Sequence, residues 1–321
     1  MTIANVGRLP DDSKPKVSVV SLAYNRRENV RELLTMLRRQ TYPSFEIILI
    51  DNASPDGTAE MVKREFPEVR LIETGGNLGM VAYNLGFEAA RGEYILVMDD
   101  DGLPGSDDWI EQVVARFEAN PRLGAVSCTI RMRDTGKIAY DSPQFVPEGN
   151  PVTGYPGVAF NGTGAGLRAE ALRRVGGYPW HFGIVFLELY LCSKLIDAGW
   201  EVRHFPELEV WHSRASGSNR RHADYFGLRN YFWYVWEMYP RGPMLRETAH
   251  EFGRIGKVVW EKQATLGGAV RSIVHAFRGI RQPFRQRAPL KLATVNYLQW
   301  VRRHGNWHGI APEVRPFEGT S

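Results

Sequence analysis

Only two cysteines, Cys128 and Cys192, occur in the 321 residues, and they lie far apart. Neither a disulfide framework nor a zinc site with paired-ligand spacing fits them, so a reducing compartment is expected. No uncharged apolar run approaches the ~18 residues of a membrane-spanning helix. Residues 1–16 lack the apolar stretch of a signal peptide and carry Pro10, Asp11, Asp12, Lys14 and Lys16, so residues 1–15 read as a flexible tail. A cytoplasmic protein is expected, with a peripheral position on the inner face of the cell membrane left open. Acidic side chains are scarce in the last quarter. Residues 241–321 hold 14 Lys and Arg against 5 Asp and Glu, while residues 1–240 hold 26 against 31. That asymmetry separates a mildly acidic body from a basic C-terminal region.

What is present in the first hundred residues is an alternation of two periodicities. β-rich runs at Val17–Ser21, Phe45–Ile50, Val69–Ile72 and Tyr94–Met98 are separated by helical patterns. The first carries Val30, Leu33, Leu34 and Leu37, and others run near 58–66 and 80–90. Strands separated by single helices predict an α/β fold: a mostly parallel central sheet with helices on both faces, and ligands outside the carboxyl ends of its strands.

The residues at those ends are polar. Ala23-Tyr24-Asn25-Arg26 follows the first run and Asp51-Asn52-Ala53-Ser54-Pro55-Asp56-Gly57-Thr58 the second. Thr74-Gly75-Gly76-Asn77-Leu78-Gly79 follows the third, and Asp99-Asp100-Asp101 the fourth. On an extended chain Asp99 and Asp101 point the same way and Asp100 the other, making a two-carboxylate clamp. Hard oxygen ligands of this kind suit Mg²⁺ or Mn²⁺ in partial coordination, with positions left for a diphosphate. Asp51 reads as a contact to a ring N–H or a ribose hydroxyl, and Ser54 and Asp56 as caps of the helix that follows. Gly75, Gly76 and Gly79 have the spacing of neither a Walker loop nor a dinucleotide fingerprint and read as turn residues. Gly162-Thr163-Gly164-Ala165-Gly166 likewise follows no clear strand-then-helix unit with an acidic partner at the dinucleotide-binding distance.

In order and spacing these motifs resemble the family 2 glycosyltransferases, enzymes of the GT-A fold that move a sugar from a nucleotide diphosphate to an acceptor with inversion. The resemblance runs from about Val17 to Pro240 and divides the chain into a tail (1–15), a GT-A domain (16–240) and a basic helical region (241–321). It implies donor contacts at Tyr24, Asn25, Arg26, Asp51, Asn77, Asp99, Asp100 and Arg229. It implies a Mn²⁺ or Mg²⁺ site at Asp99 and Asp101, with His212 of Val210-Trp211-His212-Ser213 completing the shell. Setting Lys194-Leu195 on the family's usual Arg-Leu puts Glu188 on the catalytic base, while Leu187 and Tyr190 replace two customary acids. Gly164, Trp180 and Trp211 are expected on the acceptor side, although Tyr178, Trp180 and Trp211 serve equally as core aromatics. Arg229, within an aromatic Arg-Asn helix, reads as a diphosphate clamp or a structural ion pair.

The resemblance implies a nucleotide-sugar donor, with galactofuranose or rhamnose on UDP or dTDP the first guesses, and a glycan or polyprenyl-linked acceptor of cell-surface polysaccharide synthesis. Between 244 and 304, apolar residues recur at helical spacing among arginines, with Trp260 and Trp300 in this stretch and Trp307 just beyond it. This fits either a membrane-surface helix or an appendage packed on the domain or on a second copy. No nucleic-acid motif accompanies the basic region. Two other readings remain: a nucleotidyltransferase, which would normally place a basic Gly-rich loop after the first strand, and a glycan-binding module with a degenerate site.

Overall fold

The computed structural model describes residues 15–139, 145–146, 148–213, 220–260 and 266–305. The tail expected at 1–15, apart from residue 15, and Trp307 lie outside the described residues. Along the chain run β1 (Val17–Ala23), α1 (Arg27–Leu37), β2 (Phe45–Asp51), α2 (Thr58–Glu65), β3 (Arg70–Glu73), α3 (Tyr83–Ala89), β4 (Tyr94–Asp99), β5 (Gly102–Pro104), α4 (Trp109–Ala119) and β6 (Leu123–Met132). They are followed by β7 (Tyr155–Pro156), β8 (Ala165–Arg168), α5 (Ala169–Val175), α6 (Leu187–Asp197), β9 (Glu201–His212), α7 (Arg220–Met238), α8 (Arg241–Trp260), α9 (Leu266–Arg278), α10 (Arg281–Arg285) and α11 (Leu292–His304).

The strands form one sheet in the order β3-β2-β1-β4-β8-β6-β9-β5, with β7 on β9. The first four pair in parallel, as their single-helix connections require. Beyond β4 the sheet is mixed: β8 lies antiparallel to both β4 and β6, while β6 and β9 are parallel. The parallel expectation therefore holds for the first half and yields to a mixed sheet in the second. The antiparallel strand β8 has a direct consequence. Ala165 pairs with Val97, so the loop preceding β8 arrives beside the end of β4.

Period-two alternation divides the core. Val17, Val19, Leu96 and Met98 pack with α1, α2 and α4 on one face, whereas Val20, Ile95 and Val97 pack with α3, α5, α6 and α7 on the other. The central strands are buried on both faces, which is why β1 and β4 read as near-continuous apolar runs. The basic region shares the second core. Val295, Leu298 and Val301 of α11 belong to it, the Trp233 indole N–H donates to Ala276 O at 3.1 Å, and Asp197 Oδ1 accepts from Lys291 N and Thr294 Oγ1, each at 2.7 Å.

α3 lies close against the sheet at Gly86, where a Cβ would stand 2.3 Å from Val20 Cγ1 and 2.8 Å from Ile50 Cδ1. Gly86→Ala gains about 1 kcal/mol of helix propensity, but overpacking a stiff β-branched neighbour costs ~1–3 kcal/mol. A net loss of stability in urea unfolding is expected; a stabilised variant would contradict this packing.

Candidate active site

β4 ends at Asp99, and this changes the geometry expected of the three aspartates. Asp100 and Asp101 lie in a turn before β5, so strand alternation stops applying at Asp99. Asp100 and Asp101, rather than Asp99 and Asp101, converge on one cation. Arg26 Nη1 donates to Asp100 Oδ1 at 2.9 Å and to Asp101 Oδ2. Pairing of Gly102 with His212 then brings the end of β9 against the turn, where His212 Nε2 lies 3.4 Å from Asp101 Oδ1. Gly102 is required here: a Cβ would fall 2.4 Å from Thr163 O.

Asp99 faces the other way, toward the loop that precedes β8. It accepts from the Tyr83 hydroxyl at 2.9 Å and from Thr163 Oγ1 at 3.3 Å. Across Gly162 stands Glu188, in the first turn of α6: a Cβ on Gly162 would lie 3.2 Å from Glu188 Oε1 and 3.5 Å from Asp99 Oδ1. The missing side chain leaves a gap bordered by two carboxylates.

Burial, and then each other's charge, push these acids upward. Burial raises Asp100 to about 7, against the pull of Arg26. It raises Glu188 to about 7, with the Asp99 charge adding to it. Asp99 is raised by burial and next by Asp101, against its Tyr83, His212 and Thr163 contacts. A cleft that raises several carboxylates together has a strong demand for positive charge.

Among the described residues no three His, Cys, Asp or Glu side chains form a group that would enclose a metal. The donor set nevertheless fits a hard cation. Asp101 and His212 are already neighbours, Arg26 occupies the carboxylates as a stand-in cation, and Mg²⁺ or Mn²⁺ ordinarily fills its remaining positions with water and phosphate oxygens.

The rim beside the triplet is built from the ends of β1, β2 and β3. Asp51 is buried and raised by burial, against the Ser54 contacts at 3.3 and 3.4 Å that favour its charge. Asn25 and Ala53 adopt positive φ of 55° and 63°. Of the two expected caps only Asp56 meets α2, binding Thr58 N while its other oxygen accepts from Arg27 N at the start of α1; Ser54 Oγ instead accepts from Asn25 N. Asn77 is exposed yet tied down, its Oδ1 accepting from Asn52 Nδ2 and Gly79 N. Tyr24 is exposed at this rim, its backbone N–H reaching Asp100 Oδ2 at 3.4 Å.

Three expected site residues sit elsewhere. Gly164 is buried against β9, where a Cβ would meet Val210 Cγ2 at 2.4 Å, so it serves packing rather than an acceptor. Trp211 is a core side chain beside Arg131, whereas Trp180 is about half exposed and remains available for stacking. Arg229 is buried and directed at a backbone carbonyl, Phe182 O, at 2.7 Å, which is the geometry of a loop anchor rather than a diphosphate clamp. Sequence reasoning passed over Tyr83 and Thr163. Tyr83 lies within the helical pattern near 80–90, and Thr163 within a glycine cluster read for its backbone alone.

Residues 18–176 match the sequence model of glycosyl transferase family 2. The chain is 26% identical over 258 residues to N-acetylglucosaminyl-diphospho-decaprenol L-rhamnosyltransferase of Mycobacterium tuberculosis strain H37Rv, covering 68% of this chain and 82% of that protein. Among solved structures, mannosyltransferase PcManGT from Pyrobaculum calidifontis in complex with GDP-Man and Mn²⁺ aligns with a TM-score of 0.56 and 21% identity, over 92% of this chain and 88% of that one. GalNAc-T7 with UDP, GalNAc and Mn²⁺ aligns with a TM-score of 0.59 and 16% identity, over 72% and 49%. At these identities the two structures bear on the fold. Together with the mixed α/β sheet and the acidic cleft at its strand ends, the family match identifies residues 18–176 as a glycosyl transferase family 2 segment and the chain as a glycosyltransferase of GT-A fold.

Proposed function

We propose that the protein is an inverting, divalent-cation-dependent transferase that moves a sugar from a UDP- or dTDP-linked donor to a lipid-linked glycan of cell-surface polysaccharide synthesis. The observation that carries this reading is the pair Glu188 and Asp99 facing each other across Gly162, one turn of chain from Asp101 and His212. The M. tuberculosis relative is named for rhamnosyl transfer to a diphospho-decaprenol acceptor, which supports rhamnose ahead of galactofuranose and a polyprenyl-linked acceptor.

In this reading Tyr24, Asn25, Asp51 and Asn77 border the nucleotide, and Arg26 offers a planar fork to acidic oxygens at the same rim. Asp101 and His212 would hold Mn²⁺ or Mg²⁺, which when bound neutralises charge on the leaving diphosphate. Tyr83 and Thr163 fix the Asp99 carboxylate, leaving it to orient donor hydroxyls or to share the cation. Glu188 takes the proton of the acceptor hydroxyl as that oxygen attacks the anomeric carbon opposite the leaving group. Its burial suits the role, since a base near neutrality combines availability with proton affinity. Trp180 offers an exposed face to the acceptor sugar.

The C-terminal helices support a membrane-surface position. Val270, Val274 and Phe277 are exposed at helical spacing on α9, with Phe284 and Trp300 exposed on neighbouring helices and exposed Arg271, Arg278, Arg281 and Arg285 among them. No described helix is long and apolar enough to cross a membrane. An apolar strip edged by arginines suits the interface of an anionic bilayer, where a polyprenyl acceptor resides.

Four outcomes are expected. Asp101→Asn should weaken Mn²⁺-dependent binding of UDP or dTDP at least about 10-fold; unchanged affinity in a manganese titration would remove the metal assignment. Glu188→Gln should leave donor affinity intact while turnover falls about 10²–10⁴-fold. The base acts when deprotonated, so wild-type turnover should rise with pH through a limb at or below about 7, a bound cation drawing it downward, and a fully active glutamine variant would exclude this role. Wild-type protein should float with vesicles containing phosphatidylglycerol, and Val274→Glu/Phe277→Glu should not; equal flotation of both would contradict the membrane face.

A further inference from the structure

We propose that Arg229 and Asn230 of α7 are positioning residues for catalysis: their side chains hold Phe182–Phe186 in a strained turn that aims Glu188 into the cleft. This rests on reading Glu188 as the base.

The turn is unusual in its backbone. Val185 and Phe186 are consecutive residues with positive φ, 66° and 67°, although neither is glycine and Val185 is β-branched. A β-branched side chain in the left-handed region is strongly disfavoured and persists only where its surroundings over-determine it. The restraint comes from one amide. Asn230 is fully buried, and its Nδ2 donates to Phe182 O at 3.2 Å, to Val185 O at 3.0 Å and to Ile184 O. Its orientation is fixed by Arg229, whose Nε–H donates to Asn230 Oδ1 at 2.8 Å, so that the NH₂ rather than the oxygen faces the carbonyls. Arg229 Nη2 adds a bond to Phe182 O at 2.7 Å, and its guanidinium lies 4.6 Å from the Phe226 ring centroid and 4.4 Å from that of Trp233.

The turn leads straight into α6. Phe186 O accepts from Tyr190 N in the first turn, the Phe186 ring packs on Tyr231 and Tyr234 of α7, and Glu188 follows two residues on. The other end reaches the donor rim, where Gly183 O accepts from Val81 N at 3.2 Å. One asparagine therefore sets the distance between the base and the donor loop. A displacement of about 1 Å at a reacting group can cost ~10²-fold in rate, so the clamp acts on turnover without touching substrate.

The test compares Asn230→Ala, Arg229→Lys and Val185→Gly singly, with Asn230→Ala/Val185→Gly as the double variant, against Glu188→Gln in the same assay. Asn230→Ala should lower kcat by about 30-fold or more with donor KM within about twofold, because the base moves and the donor rim does not. Arg229→Lys keeps the charge but loses the N–H that orients the amide, and should fall in the same direction. Glycine adopts the turn without strain, so Val185→Gly should restore kcat in the Asn230→Ala background, a coupling visible only in the double variant. If Asn230→Ala does not fold, Arg229→Lys alone and combined with Val185→Gly carries the same comparison. Unchanged kcat in the clamp variants, or a loss that tracks thermal stability and is not restored by Val185→Gly, would overturn the positioning role. An active Glu188→Gln would overturn the base and with it this inference, whereas an inactive Glu188→Gln beside active clamp variants would remove the clamp alone.

Discussion

Four carboxylates, those of Asp99, Asp100, Asp101 and Glu188, share one cleft, and much of the surrounding structure exists to hold them there. Like charges in a partly buried space repel, and removing them from water raises their proton affinity, as seen at Asp100 and Glu188. Each of the three aspartates is met by a specific counterweight: Arg26 on Asp100 and Asp101, His212 beside Asp101, and Tyr83 with Thr163 on Asp99. These contacts come from the turn after β1, α3, β9 and the loop before β8, segments far apart in sequence. The mixed sheet is what assembles them. Without antiparallel β8 beside β4, Thr163 and Gly162 would not meet Asp99, and without β5 on β9, His212 would not meet Asp101.

The second half of the cleft is built differently from the first. The residues proposed to border the donor sit on turns at the ends of parallel strands, cross-braced by Asn52, Ser54 and Asp56 through short side-chain to backbone bonds. Glu188, the proposed base, instead stands at a helix start whose approach is held by α7, an element rich in buried aromatics that also anchors the C-terminal helices. Catalytic geometry and the basic region thus meet on one helix. The charge of the chain is also asymmetric, with 14 Lys and Arg against 5 Asp and Glu in residues 241–321 and 26 against 31 in residues 1–240.

How far this was legible in the sequence depends on the range of the interaction. The parallel half of the sheet was readable because apolar runs and helical stripes are local patterns, and the polar strand ends followed from it. The antiparallel insertion of β8 was not, since pairing depends on partners about 70 residues apart in sequence. Strand alternation groups Asp99 with Asp101, but it ceases where β4 turns, and Arg26 bridges Asp100 and Asp101. Gly164 and Trp211 looked like site residues by position but face the core; burial is not written in residue type for glycine or tryptophan. Arg229 was recognised as important, and only the fold reveals that it points at a carbonyl.

The central claim is that the acidic cleft binds a nucleoside diphosphate together with a divalent cation. Calorimetric titration of the full chain with dTDP and with UDP, in Mn²⁺ and again in EDTA, tests it most directly. The account predicts saturable one-to-one binding of at least one nucleotide in manganese that is lost in EDTA. Binding of equal strength with and without the cation, or no binding of either nucleotide, would contradict it.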